Sequence, residues 1–310
     1  FECYSREAVM NRSHLETIRS YWSGRVAAYA AVNADELDNA QAKVWDELIA
    51  EQLSWSHPLR ILDVGCGPGF FSILMAHRGH DVTGVDYSEA MVECAQQNVK
   101  KYSVETRARF LKMDAQNLTF GDDTFDVVLS RNLTWNLEHP GRAYAEWLRV
   151  LKPGGALLNF DANWHAHLFD MELARLYAED AQKLRDMGYA VEDEHGDSIM
   201  DELIPQLPLS REQRPAWDKT CLERLGCRDV FVRTALPPDI MNIYYRIRYT
   251  HIPMFLVRRI KQGELYDGIG SDTALLEYAG GRVFPEDRIR SATCGNGLAG
   301  TPAPVSPQVR

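Results

Sequence analysis

Three glycines stand at alternate positions in Ile61-Leu-Asp-Val-Gly-Cys-Gly-Pro-Gly69. Glycine takes positive φ without a Cβ penalty, so Gly65, Gly67 and Gly69 let a backbone turn approach a ligand closely. The next apolar run, Asp81-Val-Thr-Gly-Val-Asp86, ends on a carboxylate. An acid at the strand end after a glycine turn is placed to accept the two hydroxyls of a ribose. A helix cap is the plainer role for Asp86, two residues before Ser88. Turn and carboxylate together call for a ligand that contains a nucleoside.

The dinucleotide pattern is G-x-G-x-x-G, with a pyrophosphate on the helix start. Here the spacing is G-x-G-x-G, and Phe70 stands where the third glycine belongs. Its ring leaves little room for a pyrophosphate. No basic residue lies between Cys66 and Ser72 to balance phosphate charge, and the Gly-Lys-Ser/Thr of a phosphate-binding loop is absent. A cofactor with a ribose and no phosphates fits better, and S-adenosylmethionine is such a molecule.

More segments follow in order: Tyr87-Ser-Glu-Ala-Met91, Phe110-Leu-Lys-Met-Asp114-Ala115, Phe125-Asp-Val-Val-Leu-Ser-Arg-Asn132 and Glu146-Trp-Leu-Arg-Val-Leu-Lys-Pro-Gly-Gly155. With the glycine turn they make five ordered matches. From Arg60 to roughly Lys261 the chain resembles the class I S-adenosylmethionine-dependent methyltransferases. The resemblance implies a doubly wound, mostly parallel seven-stranded α/β sheet and S-adenosylmethionine as cofactor. It implies that Asp63, Gly65, Cys66, Gly67, Gly69, Asp86, Tyr87, Met91, Asp114, Ala115, Arg131 and Asn132 line the cofactor. Asp114 and the Ala115 amide would meet adenine, against a plain turn role. Met91 would touch the adenine face or simply pack. Asp63 would lie near the methionine part, and Arg131, Asn132 and Trp135 near the sulfonium and the methionine carboxylate.

Trp135 with Tyr21, Trp22 and Tyr29 would surround the sulfonium by cation–π attraction. Packing of a covering helix is the competing role. Tyr21, Tyr29, Trp135 and Trp164 are the expected acceptor-side residues, and Arg25 would meet a carboxylate or water. Methyl transfer asks the protein for positioning and electrostatics, because the cofactor carries the reactive group. If a base is needed, His139, Asp161, His165 and His167 follow strand ends, and none is singled out; the catalytic residue stays unknown. Two other functions remain open: an NAD-dependent oxidoreductase on the same architecture, and a non-catalytic binding or scaffold protein.

These side chains need strands to present them. Short apolar runs predict strands at Arg60–Val64, Asp81–Asp86, Arg109–Met113, Phe125–Ser130 and Ala156–Asp161. Helices are predicted to begin near Phe71, Ala90, Leu118 (a short one) and Gly141. This alternation gives a parallel sheet with helices on both faces. Before it, Ser13 to Tyr29 and Asp35 to Ser54 read as two helices, the second with Leu37, Val44, Leu48 and Ile49 at helical spacing. After Asp161 the rhythm breaks. His165 to Pro215 reads as a helical insertion over the ligand crevice, either a substrate lid or structural decoration, with helices at Leu168–Met187 and Ile199–Leu207. Trp217–Leu225 then reads as a helix, and Asp229–Thr234 and Pro253–Arg258 as strands, the last antiparallel by the resemblance. The organisation expected is an N-terminal helical lid, 1–56, a cofactor domain, 57–261, and a C-terminal extension, 262–310.

At 310 residues and 45% hydrophobic content the chain can bury a full core. A net charge of −10 argues against a nucleic-acid partner and for a small-molecule acceptor. Lys100-Lys101 and Arg258-Arg259-Ile-Lys261 read as solvated surface. No apolar run reaches the roughly 18 residues of a membrane span, and no signal peptide opens the chain. Cys3, Cys66, Cys94, Cys221, Cys227 and Cys294 fit no C-x-x-C metal site and read as free thiols of a reducing cytoplasm. Cys221 and Cys227 are close enough in sequence for soft-metal chemistry to be considered. Phe1 to Val9 reads as upstream of a natural start at Met10. Ser291 to Arg310, rich in Gly, Pro, Ser and Thr, reads as a disordered tail.

Overall fold

The β-strands follow from short apolar runs, and the computed structural model shows how they assemble. It describes residues 14–53, 57–191 and 199–262. The expectations for Phe1–Val9, Met10 and the Ser291–Arg310 tail lie outside the described residues.

Seven strands are seen: β1 Arg60–Val64, β2 Asp81–Asp86, β3 Ala108–Lys112, β4 Phe125–Arg131, β5 Leu151–Asp161, β6 Phe231–Arg233 and β7 Phe255–Ile260. They form one sheet in the order β3-β2-β1-β4-β5-β7-β6. All neighbours through β5 are parallel, and β7 runs antiparallel between β5 and β6. The chain winds outward from β1 to β3 and then returns to the other side of β1 at β4. That reversal opens a crevice at the carboxyl ends of β1 and β4. It places the Gly65–Gly69 turn and the residues after Arg131 side by side.

Both sheet faces are covered. One core holds Ile61, Val82, Val127, Leu129, Leu158 and Phe160; the other holds Leu62, Val64, Val85, Val128, Leu157 and Val257. The alternation within each strand is the period of two, and burial of both sets explains why the runs are continuously apolar.

The N-terminal segment makes three helices, not two: α1 His14–Gly24, α2 Val26–Asp38 and α3 Ala40–Ala50. The breaks fall at Arg25, just after the poor helix former Gly24, and at Asn39, whose extended backbone ends one helix and starts the next. α3 belongs to the main core. Its Trp45, 1% exposed, meets the rings of Phe70, Phe71 and Phe160 with centroids 6.5, 5.2 and 5.3 Å away.

Between strands run α4 Phe70–His77, α5 Glu89–Lys101 and α6 Pro140–Val150. The short helix expected at Leu118 is absent; residues 115–123 form turns. The reason is Arg149. Its guanidinium donates to the carbonyls of Leu118 and Phe120 at 2.9 and 2.8 Å, oxygens a helix would need for itself.

The insertion contains α7 Met171–Asp186, capped by Asp170, and α8 Ile199–Leu203. Residues 192–198 lie outside the described residues. α9 Ala216–Arg224 follows, and α10 Ile243–Arg248, which the sequence reading did not expect. α10 packs on α7, where Arg248 donates to the Tyr177 carbonyl at 2.9 Å. A third apolar cluster joins Ile18 of α1 to Met200, Leu203, Ile204 and Leu207 of the insertion, with Tyr21, Trp22, Trp135 and Leu168 at its edge. No described helix is long and apolar enough to cross a membrane.

Candidate active site

The glycine turn is held from below and closed from above. The amides of Gly65 and Cys66 both donate to the Val85 carbonyl, at 2.8 and 3.0 Å. Gly65 and Gly67 have φ of 67° and 51°. A Cβ on Gly65 would lie 2.7 Å from Leu133, and one on Gly67 3.4 Å from the Tyr29 ring. Leu133, just after β4, and Tyr29 of α2 therefore close on the turn: the approach of Leu133 excludes a Cβ at Gly65, and the positive φ disfavours one at Gly67. α4 begins at Phe70, which is 3% exposed and packed with Trp45 and Phe71. The ring packs into the core at the position where the dinucleotide pattern has its third glycine.

Asp63, buried at the end of β1, accepts the Ser72 hydroxyl at 2.6 Å and so ties α4 to the turn. Asp86 behaves differently. Its Oδ2 accepts the Gly67 amide at 3.0 Å and its Oδ1 the Ser88 amide at 2.8 Å. Each oxygen keeps a lone pair for a ligand hydroxyl. Capping of α5 falls to Ser88, whose hydroxyl accepts the Met91 amide at 3.3 Å. Burial pushes both carboxyls, Asp63 and Asp86, up to about 6.

One strand further, Asp114 Oδ1 accepts the Gln116 backbone and side-chain amides at 2.9 and 3.1 Å. Its second oxygen makes no hydrogen bond among the described residues. The Ala115 carbonyl is taken by the Trp147 indole at 3.0 Å. Met91 is 2% exposed. Tyr87 donates its hydroxyl to Glu16 at 2.8 Å, and Ser23 meets Ser88 hydroxyl to hydroxyl at 2.8 Å. These two bonds seat α1 beside Asp86.

At the end of β4, the Arg131 guanidinium is matched to Glu36 of α2 at 2.6 Å and lies 4.3 Å over the Phe70 ring. Its charge is thereby used to hold α2, a partnership the sequence reading missed. Asn132 has φ of 56°. Its amide donates to Phe160 O at 2.9 Å and its carbonyl accepts the Trp135 indole at 3.0 Å. Its Oδ1 is buried without a hydrogen-bond partner.

Asp161, proposed from sequence as a base, is fully occupied. Oδ2 accepts from the Thr134 hydroxyl at 2.5 Å, the Trp135 amide at 3.1 Å and Arg214 Nη1 at 2.8 Å. Oδ1 accepts the Ala162 amide and the Trp164 indole, both at 2.9 Å. The side chain is 0% exposed. Five donors and no solvent leave no lone pair aimed at a substrate, so this carboxylate organises the site's floor. Arg214 and Asp218 complete the network, and nothing in the sequence marked them. Arg214 stands before a proline in a polar stretch far from any motif.

Trp22 gathers the aromatics: its ring centroid is 5.3 Å from Tyr21, 5.5 Å from Tyr29 and 6.4 Å from Trp135. His165 lies 4.8 Å from Trp135. Trp164 stands apart, edge-on to Tyr249 at 4.9 Å. Arg25 is exposed, 4.6 Å over the Tyr21 ring. His139 is exposed, and His167 is stacked on Tyr177 at 3.9 Å. Burial pushes the Cys221 thiol up to about 11, and no group of three metal-ligating side chains exists among the described residues.

Glycine turn, ribose-ready acid and β4 turn thus converge on one crevice. Residues 62–159, from β1 to β5, match the family model described as a methyltransferase domain. This part of the chain resembles the S-adenosylmethionine-dependent methyltransferases. Over 99 residues the chain is 36% identical to the phosphatidylethanolamine N-methyltransferase of Cereibacter sphaeroides, covering 32% of this chain and 48% of that protein. Also over 99 residues, it is 37% identical to the demethylmenaquinone methyltransferase of Clavibacter sepedonicus, over 32% and 39% of the two chains. The chain spans about half the length, or less, of these curated relatives. Among solved structures, Haemonchus contortus phosphoethanolamine N-methyltransferase 2 in complex with S-adenosyl-L-methionine matches with a TM-score of 0.50 at 17% identity, covering 74% of this chain and 60% of that one. That likeness is one of fold.

Proposed function

We propose that the protein transfers the methyl group of S-adenosylmethionine to a nucleophilic atom of a small molecule. The observation that carries this is the Asp86 carboxylate, fixed by the Gly67 and Ser88 amides with a free lone pair on each oxygen. It fits a ribose diol and no phosphate. Asp114 and the Ala115 amide lie one strand outward, β3 beside β2, where a base attached to that ribose would reach. The methionine half then extends the other way, across the glycine turn toward Leu133 and Asn132.

The cofactor supplies an electrophilic methyl group and a neutral thioether leaving group. The chain's part is to hold both reactants in line and keep water out. Tyr29, Trp22 and Trp135 close the crevice on the side of the N-terminal helices and offer ring faces to a cation. With Asp161 occupied, His139 and His165 stay as candidates for accepting a proton, and His165 lies beside Trp135. The small-molecule reading is supported by the aromatic enclosure and the chain's net charge of −10. The insertion, sharing the apolar cluster of α1, acts in this reading as part of the cover.

Calorimetric titration with S-adenosylmethionine, S-adenosylhomocysteine and NAD tests the cofactor. Binding of NAD in preference to the other two overturns the reading. Labelled S-adenosylmethionine incubated with a metabolite extract then tests transfer. A protein that binds the cofactor but labels no acceptor is a sensor or scaffold.

A further inference from the structure

A fully bonded buried cation, Arg214, stands at the exit of the insertion, with its side chain 1% exposed. Nη1 donates to Asp161 Oδ2 at 2.8 Å, and Nη2 to the Thr134 hydroxyl at 2.5 Å. Nε and Nη2 grip the two Asp218 oxygens of α9 at 2.9 and 2.7 Å. Tyr144 donates to the same carboxylate at 2.6 Å, and Asn159 donates to Tyr144 at 2.8 Å and to Thr134 at 3.2 Å. One guanidinium thus ties the insertion to the ends of β4 and β5 and to α9.

What it grips is a short turn with two working neighbours. Leu133, just before Thr134, closes over Gly65. Trp135, just after, hangs its amide on the same Asp161 oxygen and its ring beside Trp22 and His165. On the S-adenosylmethionine reading, the sheet order assigns one half of the cofactor to this turn. Adenine and ribose belong to β3 and β2, so the turn after β4 lies on the methionine side of β1.

We propose that Arg214 is a positioning residue for the methionine half of the cofactor and the methyl group it carries, acting through Thr134 and Asp161 on the Leu133–Trp135 turn. The proposal rests on the S-adenosylmethionine reading above. It explains why a polar network, costly to bury unless fully bonded, sits under a crevice whose floor must not move. It also gives the insertion a part in the chemistry through one rigid contact, apart from any covering role.

Calorimetry with two probes tests it: S-adenosylhomocysteine, which has the methionine half, and adenosine, which lacks it. The proteins are the parent chain, Arg214→Lys and Thr134→Val, the last keeping shape and both Arg214–carboxylate pairs. The expected result is S-adenosylhomocysteine binding weakened about tenfold, the scale of one charge-assisted hydrogen bond, with adenosine binding unchanged within about twofold. Weakening of both probes by one factor makes the network a plain stabiliser and overturns the proposal. So does unchanged S-adenosylhomocysteine affinity in Thr134→Val, which also decides the matter if Arg214→Lys does not fold. A parent chain that binds neither probe overturns the cofactor reading, and the proposal with it.

Discussion

Two strand ends of the same sheet each carry a carboxylate, and the two have opposite lives. Asp86, at the end of β2, has one backbone donor on each oxygen and keeps acceptor capacity for a ligand. Asp161, at the end of β5, has five donors and no exposure. In sequence both are an aspartate closing an apolar run. The difference comes from what packs on top. Over β2, the side-chain hydrogen bonds of the covering helix beside the acid, among the described residues, are Tyr87–Glu16 and Ser23–Ser88. Over β5 the insertion delivers an arginine into the acid itself. An unfinished hydrogen-bond set marks a binding group, and a finished one marks a structural group.

The largest effect should come from breaking the finished set. Arg214→Ala leaves Asp161 and Asp218 buried without their cation, which costs about 3–5 kcal/mol. Urea unfolding of parent and variant measures it. A loss no larger than an ordinary surface substitution would erase the contrast. Asp86→Ala should do the reverse, leaving the unfolding midpoint near that of the parent. It removes charge-assisted bonds to the ribose, each worth roughly 1.5–3 kcal/mol, so affinity for S-adenosylmethionine falls at least about tenfold. A folded variant with parent affinity would return Asp86 to a merely structural role.

Acidity sharpens the comparison next. Burial raises the folded Asp86 carboxyl to about 6, against an ordinary 3.8. Between those values the folded chain holds more protons than the unfolded one. This group's contribution to stability therefore falls as pH climbs from about 4 to about 6, and is flat above. Cofactor affinity runs the other way, because the ionised carboxylate is the better acceptor: full above about pH 6, declining below it. Titrations from pH 5 to 8 on parent and Asp86→Asn check this, and the variant should lack the acid limb assigned to Asp86. Asp63, also raised to about 6, is held by Ser72 and remains in both proteins. The smallest effect is expected from Ser88→Ala. It removes the α5 cap, about 1 kcal/mol of stability, and the hydroxyl that meets Ser23. Hydrogen exchange in α1 should quicken, and unchanged exchange there would mean that α1 is seated without that bond.

Much of the domain was legible. The glycine spacing, the acid at Asp86 and the five short apolar runs placed β1 to β5, their helices and the crevice, because each depends on local period and turn chemistry. Boundaries near Gly24 and Asn39 were harder, since a helical pattern continues across a break that one residue makes. The helix expected at Leu118 failed because a distant side chain, Arg149, took its carbonyls. Trp164 was grouped with Trp135 by type, but its indole turns to Asp161.

The sequence by itself determined the sheet, the glycine turn and the class of cofactor. Those rest on backbone conformation and residue period, which a short segment carries whole. Only the tertiary structure decided which acids are free and which are occupied. It paired Arg131 with Glu36 across 95 positions of chain and Arg214 with Asp161 across 53. Such partners are chosen by packing between elements, and no local pattern announces them, because a charge carries no record of the charge it will meet.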